Sequence, residues 1–144
     1  MMKTIVVGVD GSACGHAALE FAIEEAALRG ALLRIVCAWE IPPAVSAGGV
    51  YTAEPLEAFP KEAEDTMQKA LARAAELQPS VPREAKIMEG QPADAILKEA
   101  QDAVLIVVGG RGRGGFASLL LGSVSQQVVH HAECPVVVVR GVAC

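Results

Sequence analysis

Hydrophobic residues follow two alternating patterns along the chain. Short, predominantly apolar runs cover residues 4–9, 32–38 (broken only by Arg34), 104–108 and 135–139, and a weaker run covers 85–88. Continuous apolar runs are typical of strands covered on both faces, whereas half-exposed strands alternate apolar and polar residues. The pattern therefore predicts five strands, most of them buried.

Between these runs, apolar residues recur at the three- and four-residue spacing of amphipathic helices. The stripes are Leu19, Ala22, Ile23 and Ala26; Ala63, Met67, Ala70, Leu71, Ala74 and Leu77; and Ala93, Ile96, Leu97 and Ala100. A shorter helix is predicted from Ser123 to His131. Ser12 is a suitable N-cap for the first helix, and Gly30 a suitable terminator. Pro79 closes the second helix, and Pro92 opens the third.

The predicted element order is β-α-β-α-β-α-β-α-β, and each crossover is long enough for a helix. Right-handed crossovers place helices on both faces of such a sheet. We therefore predict an α/β fold with a five-stranded, doubly wound parallel sheet, formed by residues 1–144 as a single domain. The long irregular stretch 40–59 is interpreted either as a mobile lid or as a partner surface.

The composition of the chain disfavours several classes of protein. The chain has 144 residues, of which 52% are hydrophobic and only 3% aromatic, with a formal net charge of −5. An acidic chain is a poor general nucleic-acid binder, because phosphate neutralisation needs clustered Lys and Arg. No apolar run is long enough to span a bilayer, and the first residues do not resemble a secretory signal. We expect a cytoplasmic protein without membrane or nucleic-acid partners.

Two predicted strand ends carry residues suited to a nucleotide. In an open parallel sheet, ligands bind at the carboxyl ends of the strands near the point where strand order reverses. The first segment is Gly8-Val9-Asp10-Gly11-Ser12. There, Asp10 either hydrogen-bonds ribose hydroxyls and helps to hold Mg²⁺, or it caps the following helix. The local sequence leaves both roles open.

The second segment is rich in glycine and follows the fourth predicted strand. It runs from Gly109 through Arg111, Gly112 and Arg113 to Gly122-Ser123-Val124-Ser125. Glycines allow the backbone to approach phosphate oxygens, and the first amides of a helix bind anions. Ser123 and Ser125 would add donors, and an arginine would neutralise charge. The alternative is a surface loop with a capping serine.

Established phosphate-loop motifs do not account for this segment. Residues 110–115 match GxGxxG, but they follow the fourth strand instead of the first, and no acidic residue ends a succeeding strand. The sequence contains no GxxxxGK[ST]. Its four cysteines include no CxxC pair, which disfavours a zinc ribbon or a thioredoxin-like dithiol.

The spacing Gly109-x2-Gly112-x9-Gly122-Ser123 resembles the G-x2-G-x9-G-[ST] signature of the ATP-binding universal stress proteins. The opening Val7–Ser12, the segment Ala38-Trp39-Glu40, Gly90-Gln91-Pro92 and the closing Cys134–Val139 are also similar to that family. The similarity extends over nearly the whole chain and leaves residues 40–60 unsupported.

The resemblance implies sheet order 3-2-1-4-5 and a homodimer in which the last strands (Val136, Val137, Val138, Val139) pair antiparallel. It implies ATP, or else AMP or cyclic AMP, as the ligand, with Mg²⁺ and Asp10 at the ribose. The backbone of Ala38 should meet the adenine. The complete set of implied nucleotide contacts is Gly8, Val9, Asp10, Ala38, Gly109, Arg111, Gly112, Gly122, Ser123, Val124 and Ser125.

Fast hydrolysis is not expected. It requires a positioned base and a charge stabiliser, and only Asp10 is placed beside the phosphates. His16, His130 and His131 form no Ser-His-Asp or HExxH pattern. We therefore predict no catalytic residues and a nucleotide-dependent regulatory protein of the stress response. The alternatives are a slow ATPase acting as a timer, and an interaction protein without nucleotide that acts on a partner protein through its dimer edge and the loop 40–60.

Overall fold

A computed structural model of the chain describes residues 2–42, 56–111 and 121–141. Five strands and four helices alternate along these residues. They are β1 (Thr4–Gly8), α1 (Ala13–Arg29), β2 (Leu32–Trp39), α2 (Ala58–Leu77), β3 (Arg83–Glu89), α3 (Pro92–Glu99), β4 (Leu105–Gly109), α4 (Ser123–His131) and β5 (Val136–Val139). Most of the irregular stretch interpreted as a lid or partner surface lies outside the described residues.

The five strands form one parallel sheet in the order β3-β2-β1-β4-β5. This confirms the predicted fold and strand order. The chain leaves β1 toward β2 and β3 on one side, then crosses to β4 and β5 on the other. The order therefore reverses between β1 and β4, which is the place where ligands bind in open parallel sheets.

Helices cover both faces of the sheet. On one face, α1 and α2 bury small and aliphatic side chains, such as Leu19, Ile23 and Met67, against Ile5 and Ile35. On the other face, α3 and α4 cover a second cluster that comprises Val6, Val36, Ala93, Ala95, Ile96, Ala100, Ile106, Val108 and Val128. Alanine at many helix positions allows the helices to lie close to the sheet, which explains a core with few aromatic residues.

The ends of α1 follow the predicted capping chemistry. The Ser12 Oγ accepts a hydrogen bond from the Gly15 N–H at 3.0 Å, which satisfies one of the unpaired amides of the first turn. Gly30 ends the helix in the left-handed conformation, with φ of 63°. Pro92 occupies the first turn of α3 after Gln91, as predicted.

Strand β3 is longer than predicted and has a different pattern. It runs from Arg83 to Glu89 instead of residues 85–88, because it pairs with β2 along its whole length. It also alternates, with Ala85, Ile87 and Glu89 exposed. The reason is its position at an edge of the sheet, where neighbouring elements cover it only in part.

Arg34 links three elements at the amino-terminal half of the sheet. Its side chain, 13% exposed, forms an ion pair with Glu84 on β3. It also donates to the Glu99 carbonyl at 2.7 Å and to Asp102 Oδ1 at 2.9 Å. Burial alone would lower the pKa of Arg34, but the hydrogen bonds to Asp102 and Glu84 raise it above its usual value. The same interaction lowers the pKa of Asp102.

No helix within the three described ranges is long and apolar enough to cross a bilayer.

Candidate functional site

A cavity opens at the carboxyl ends of β1, β2 and β4, at the point where strand order reverses. It has two adjoining compartments that share Asp10, Ala38, Pro92 and Val124. The larger compartment, about 350 Å³, falls at the lower end of the range of small-molecule sites. The smaller compartment, about 60 Å³, is lined mostly by apolar side chains that include Val36, Ile96 and Val108.

The structure brings the predicted ligand residues together around this cavity. Gly8, Val9, Gly109 and Arg111 line the smaller compartment, and Gly122, Ser123 and Ser125 line the larger. Asp10, Ala38 and Val124 line both. Gly112, the remaining predicted contact, lies outside the described residues, as does Arg113. Residues far apart in the sequence thus converge because parallel strands end at one edge of the sheet.

Asp10 is held against the first turn of α1. Its Oδ1 accepts from the Ser12 N–H at 2.9 Å and from the Ser12 hydroxyl. A Cβ on Gly15 would lie 2.8 Å from that same oxygen, so the absence of a side chain makes room for the carboxylate. Asp10 therefore supports the N-cap of α1 and lines both compartments of the cavity. The two roles left open by the sequence are compatible in geometry.

Three residues form a closed junction between β4 and α4, which we call the Gly110 junction (Gly110, Gly122 and Ser125). The Gly122 N–H donates to the Gly110 carbonyl at 2.6 Å. The Ser125 Oγ lies 3.0 Å from that carbonyl oxygen and 3.1 Å from the Gly122 carbonyl oxygen. Gly110 also donates its N–H to the Val139 carbonyl at 2.8 Å, continuing the ladder between β4 and β5.

The first turn of α4 faces the larger compartment. Gly122 is the N-cap residue, with no side-chain cap, and the first turn carries no acidic residue. The leading amides of a helix lack intrahelical acceptors and carry a partial positive charge. Ser123 is exposed at this position, and Arg111 lines the adjoining compartment. These groups suit an anion such as a phosphate.

One wall of the cavity was not predicted from the sequence. Phe59, Glu62, Ala63 and Thr66 of α2 line the larger compartment, together with Cys37 and Trp39 of β2, Glu40 just after β2, and Pro92 of α3. Trp39 ends β2 and Glu40 follows it, a position that could have identified both residues. The α2 residues carried no such signal, because only the packing of α2 over β2 brings them to the cavity.

The described residues contain no group of three or more His, Cys, Asp or Glu side chains arranged to hold a metal ion. Asp10 is the carboxylate expected at the nucleotide, and Glu40 and Glu62 also line the larger compartment. Mg²⁺ commonly uses one or two carboxylates together with substrate phosphates and water. The donor set is therefore compatible with a magnesium ion carried by a nucleotide, and not with a dedicated protein cage.

Comparison with known proteins connects this geometry to one family. Residues 1–140 match the model of the universal stress protein family. A universal stress protein of Mycobacterium tuberculosis (strain H37Rv) is 38% identical over 136 residues, covering 94% of this chain and 45% of that protein. The chain thus spans about half the length of the curated relatives that it matches.

Solved structures with the same fold include nucleotide complexes. A universal stress protein in complex with cAMP is 29% identical, with a TM-score of 0.69, covering 96% of each chain. A universal stress protein from Archaeoglobus fulgidus in complex with dAMP is also 29% identical, with a TM-score of 0.69, covering 97% of this chain and 98% of that one.

Proposed function

Since this chain belongs to the universal stress protein family, we propose that it binds an adenine nucleotide at the cavity and acts as a nucleotide-dependent regulatory protein of the stress response in the cytoplasm. The observation that carries the proposal is the convergence of ten predicted contacts on one cavity at the strand-order reversal. Structural relatives in complex with cAMP and dAMP support the adenine class. We also propose that the chain works as one nucleotide-binding unit.

The chemistry of the cavity favours one orientation of the ligand. Phosphates would lie at the first turn of α4, where backbone amides, the exposed Ser123 hydroxyl and Arg111 supply positive charge and donors. The adenosine would extend into the larger compartment, where Trp39 and Phe59 offer aromatic surface. Asp10 would accept from a ribose hydroxyl and help to hold Mg²⁺ on the phosphates.

ATP is the preferred ligand in this proposal, because the G-x2-G-x9-G-[ST] spacing is typical of the ATP-binding members of the family. AMP and cyclic AMP are the competing ligands. They share the adenosine contacts and differ only at the phosphate end, so a direct affinity comparison separates them.

The binding test combines released nucleotide with thermal stability. Purified protein is denatured and any released nucleotide is identified by chromatography. Melting temperature is then measured with Mg-ATP, AMP and cyclic AMP. A ligand at about 100 times its dissociation constant adds about 2.7 kcal/mol of stability, which raises the midpoint of a domain this size by about 5–10 °C.

Two glycine variants sharpen this test. In Gly122→Asp, a carboxylate stands at the N-cap of α4, where φ is −76°, a backbone conformation that any residue adopts. Aspartate caps helices well, so the fold should persist while the charge repels phosphate. Gly141→Asp adds the same charge where nothing lies within 4 Å of a new Cβ. The ligand-induced shift should disappear only in Gly122→Asp. Wild-type protein with neither bound nucleotide nor a shift would refute the proposal.

We propose that hydrolysis is slow or absent, because Asp10, the carboxylate expected beside the phosphates, is already engaged with Ser12. The timer alternative predicts measurable ATP turnover that Asp10→Ala abolishes while some binding remains. If the chain is an interaction protein that needs no nucleotide, Gly122→Asp should leave its function unchanged.

A further inference from the structure

Ser125 is unusual among the serines of the site because it is almost completely buried. It is 1% exposed, whereas Ser123, two residues earlier in α4, is exposed to solvent. A buried hydroxyl must find a hydrogen-bond partner within the protein. The oxygens within reach of the Ser125 Oγ are the carbonyls of Gly110 and Gly122, at 3.0 and 3.1 Å.

The chemistry of these partners limits what Ser125 can do for a ligand. A hydroxyl has one proton, and both partners are acceptors, so that proton is used within the Gly110 junction. The hydroxyl is left with lone pairs only. Ionised phosphate oxygens are acceptors too, so Ser125 cannot donate to a phosphate without releasing a backbone carbonyl. The Ser123 hydroxyl forms none of the hydrogen bonds of this junction.

The junction also sets the direction of a neighbouring amide. The Gly110 carbonyl oxygen lies within hydrogen-bond distance of two donors, the Gly122 N–H and the Ser125 hydroxyl, whose single proton is shared with the Gly122 carbonyl. In a trans peptide the carbonyl oxygen and the following N–H point in opposite directions. Holding the Gly110 oxygen toward α4 therefore orients the N–H of Arg111, a residue that lines the smaller compartment.

We propose that Ser125 is a positioning residue of the nucleotide site, not a phosphate ligand: it ties Gly110 to Gly122 and so holds the end of β4 and the first turn of α4 in the spacing that phosphate requires. This inference rests on the proposed function. Ser123, on the same turn, supplies the hydroxyl that donates to phosphate.

The experiment compares AMP with adenosine, which lacks the phosphate. Dissociation constants for both are measured by calorimetry on wild type, Ser125→Ala, Ser125→Thr and Ser123→Ala. Ser125→Ala should weaken the binding of AMP by about 10-fold and the binding of adenosine by less than about 2-fold. This difference is expected because the substitution disturbs only the phosphate end of the site. Ser125→Thr keeps the hydroxyl and should restore AMP binding.

Val128→Ala is the matched control, because Val128 is fully buried on the same helix and lies outside the junction. It should lower the melting temperature without changing the ratio of AMP to adenosine affinity. Ser125→Cys, which has a similar shape but a weak donor, replaces Ser125→Ala if alanine prevents folding.

Amide hydrogen exchange at Gly122 separates positioning from direct contact in protein without ligand. Ser125→Ala should speed that exchange, because the Gly122 N–H loses the support of the junction. Ser123→Ala should weaken the binding of AMP and leave the amide exchange of Gly122 unchanged. Wild-type protein that binds neither ligand would refute the proposed function. Wild-type binding, with an unchanged affinity ratio or unchanged Gly122 exchange in Ser125→Ala, would overturn the positioning role.

Discussion

Two glycines near the cavity are required by space, not by an unusual backbone conformation. A Cβ on Gly109 would lie 2.7 Å from the Cys14 Cβ and 2.8 Å from the Cys14 carbonyl carbon and oxygen. A Cβ on Gly15 would meet Asp10. At both positions the missing side chain allows α1 to begin directly against the ends of β1 and β4. Gly109 thus keeps the helix start close to the strand end from which the site is built.

Gly109→Ala should lower the free energy of unfolding by about 1–3 kcal/mol, because its contacts include backbone atoms that cannot turn aside. The measurement is urea denaturation. Gly141→Ala, where a Cβ meets nothing within 4 Å, is the neutral control. A Cβ at Gly30 also meets nothing within 4 Å, but the backbone there has φ of 63°. Gly30→Ala should therefore lower the free energy of unfolding by about 1–2 kcal/mol, because of the left-handed conformation alone. Equal stability of Gly109→Ala and Gly141→Ala would refute the steric argument.

Among the elements, β2 and β3 are joined to the segment after α3 by charge as well as by the sheet ladder. Arg34 bonds Glu84 across the strand pair and Asp102 beyond the end of α3. The hydrogen bond from Arg34 lowers the pKa of Asp102 below its ordinary value of 3.8. The stabilisation that the Arg34–Asp102 pair gives to the folded protein is therefore complete above pH 3.8. It is lost as the pH falls through the lower pKa that Asp102 has in the folded state.

Asp102→Asn should reveal this dependence. The variant should be less stable than wild type at pH 6, and the difference should shrink as the pH falls below 3.8, because wild-type Asp102 then loses its charge as well. Free energies of unfolding of both proteins at several pH values between 6 and 3 provide the measurement. A difference that stays constant over this range would show that the Asp102 charge contributes nothing. The effect should be modest, since the Asp102 side chain is 66% exposed.

For the whole molecule, the two edges of the sheet differ in chemistry. Strand β3 carries Arg83, Glu84, Lys86 and Glu89, and charged edges resist pairing with another sheet. Strand β5 is four half-buried valines. This contrast supports the proposal that two copies of the chain pair through Val136–Val139.

Val138→Pro should shift the protein from dimer to monomer. Pro135 and Val139 direct their carbonyls to β4, so the N–H groups of Val136 and Val138 point to the open side of the strand. Proline at 138 therefore removes an outward donor and spares the ladder to β4. Ile87→Pro is the control on the opposite edge and should leave the mass unchanged. The molar mass comes from sedimentation velocity, and a wild-type monomer or a dimeric Val138→Pro would contradict the proposal.

Much of the fold and most of the described site were predictable from local chemistry. Predominantly apolar runs predicted β1, β2, β4 and β5, while Ser12, Gly30 and Pro92 marked helix ends. The clustering of Asp10 and Ser123 followed from the rule that parallel strands end together, whereas Ala38 was expected only from the family resemblance. The α2 wall with Phe59 and Thr66 was not predictable, because a periodic stripe specifies which face of a helix is buried and not which loop it meets.

The amino-acid sequence by itself determined the element types, the parallel sheet, and the residues available at the strand ends, since these depend on periodicity, capping and the alternation of strands and helices along the chain. Only the tertiary structure decided how those residues share their hydrogen bonds. It directs the Ser125 hydroxyl to backbone carbonyls, leaves Ser123 exposed, and joins Asp10 to the start of α1. Such roles depend on distances between segments remote in the chain, and the one-dimensional order of residues does not contain those distances.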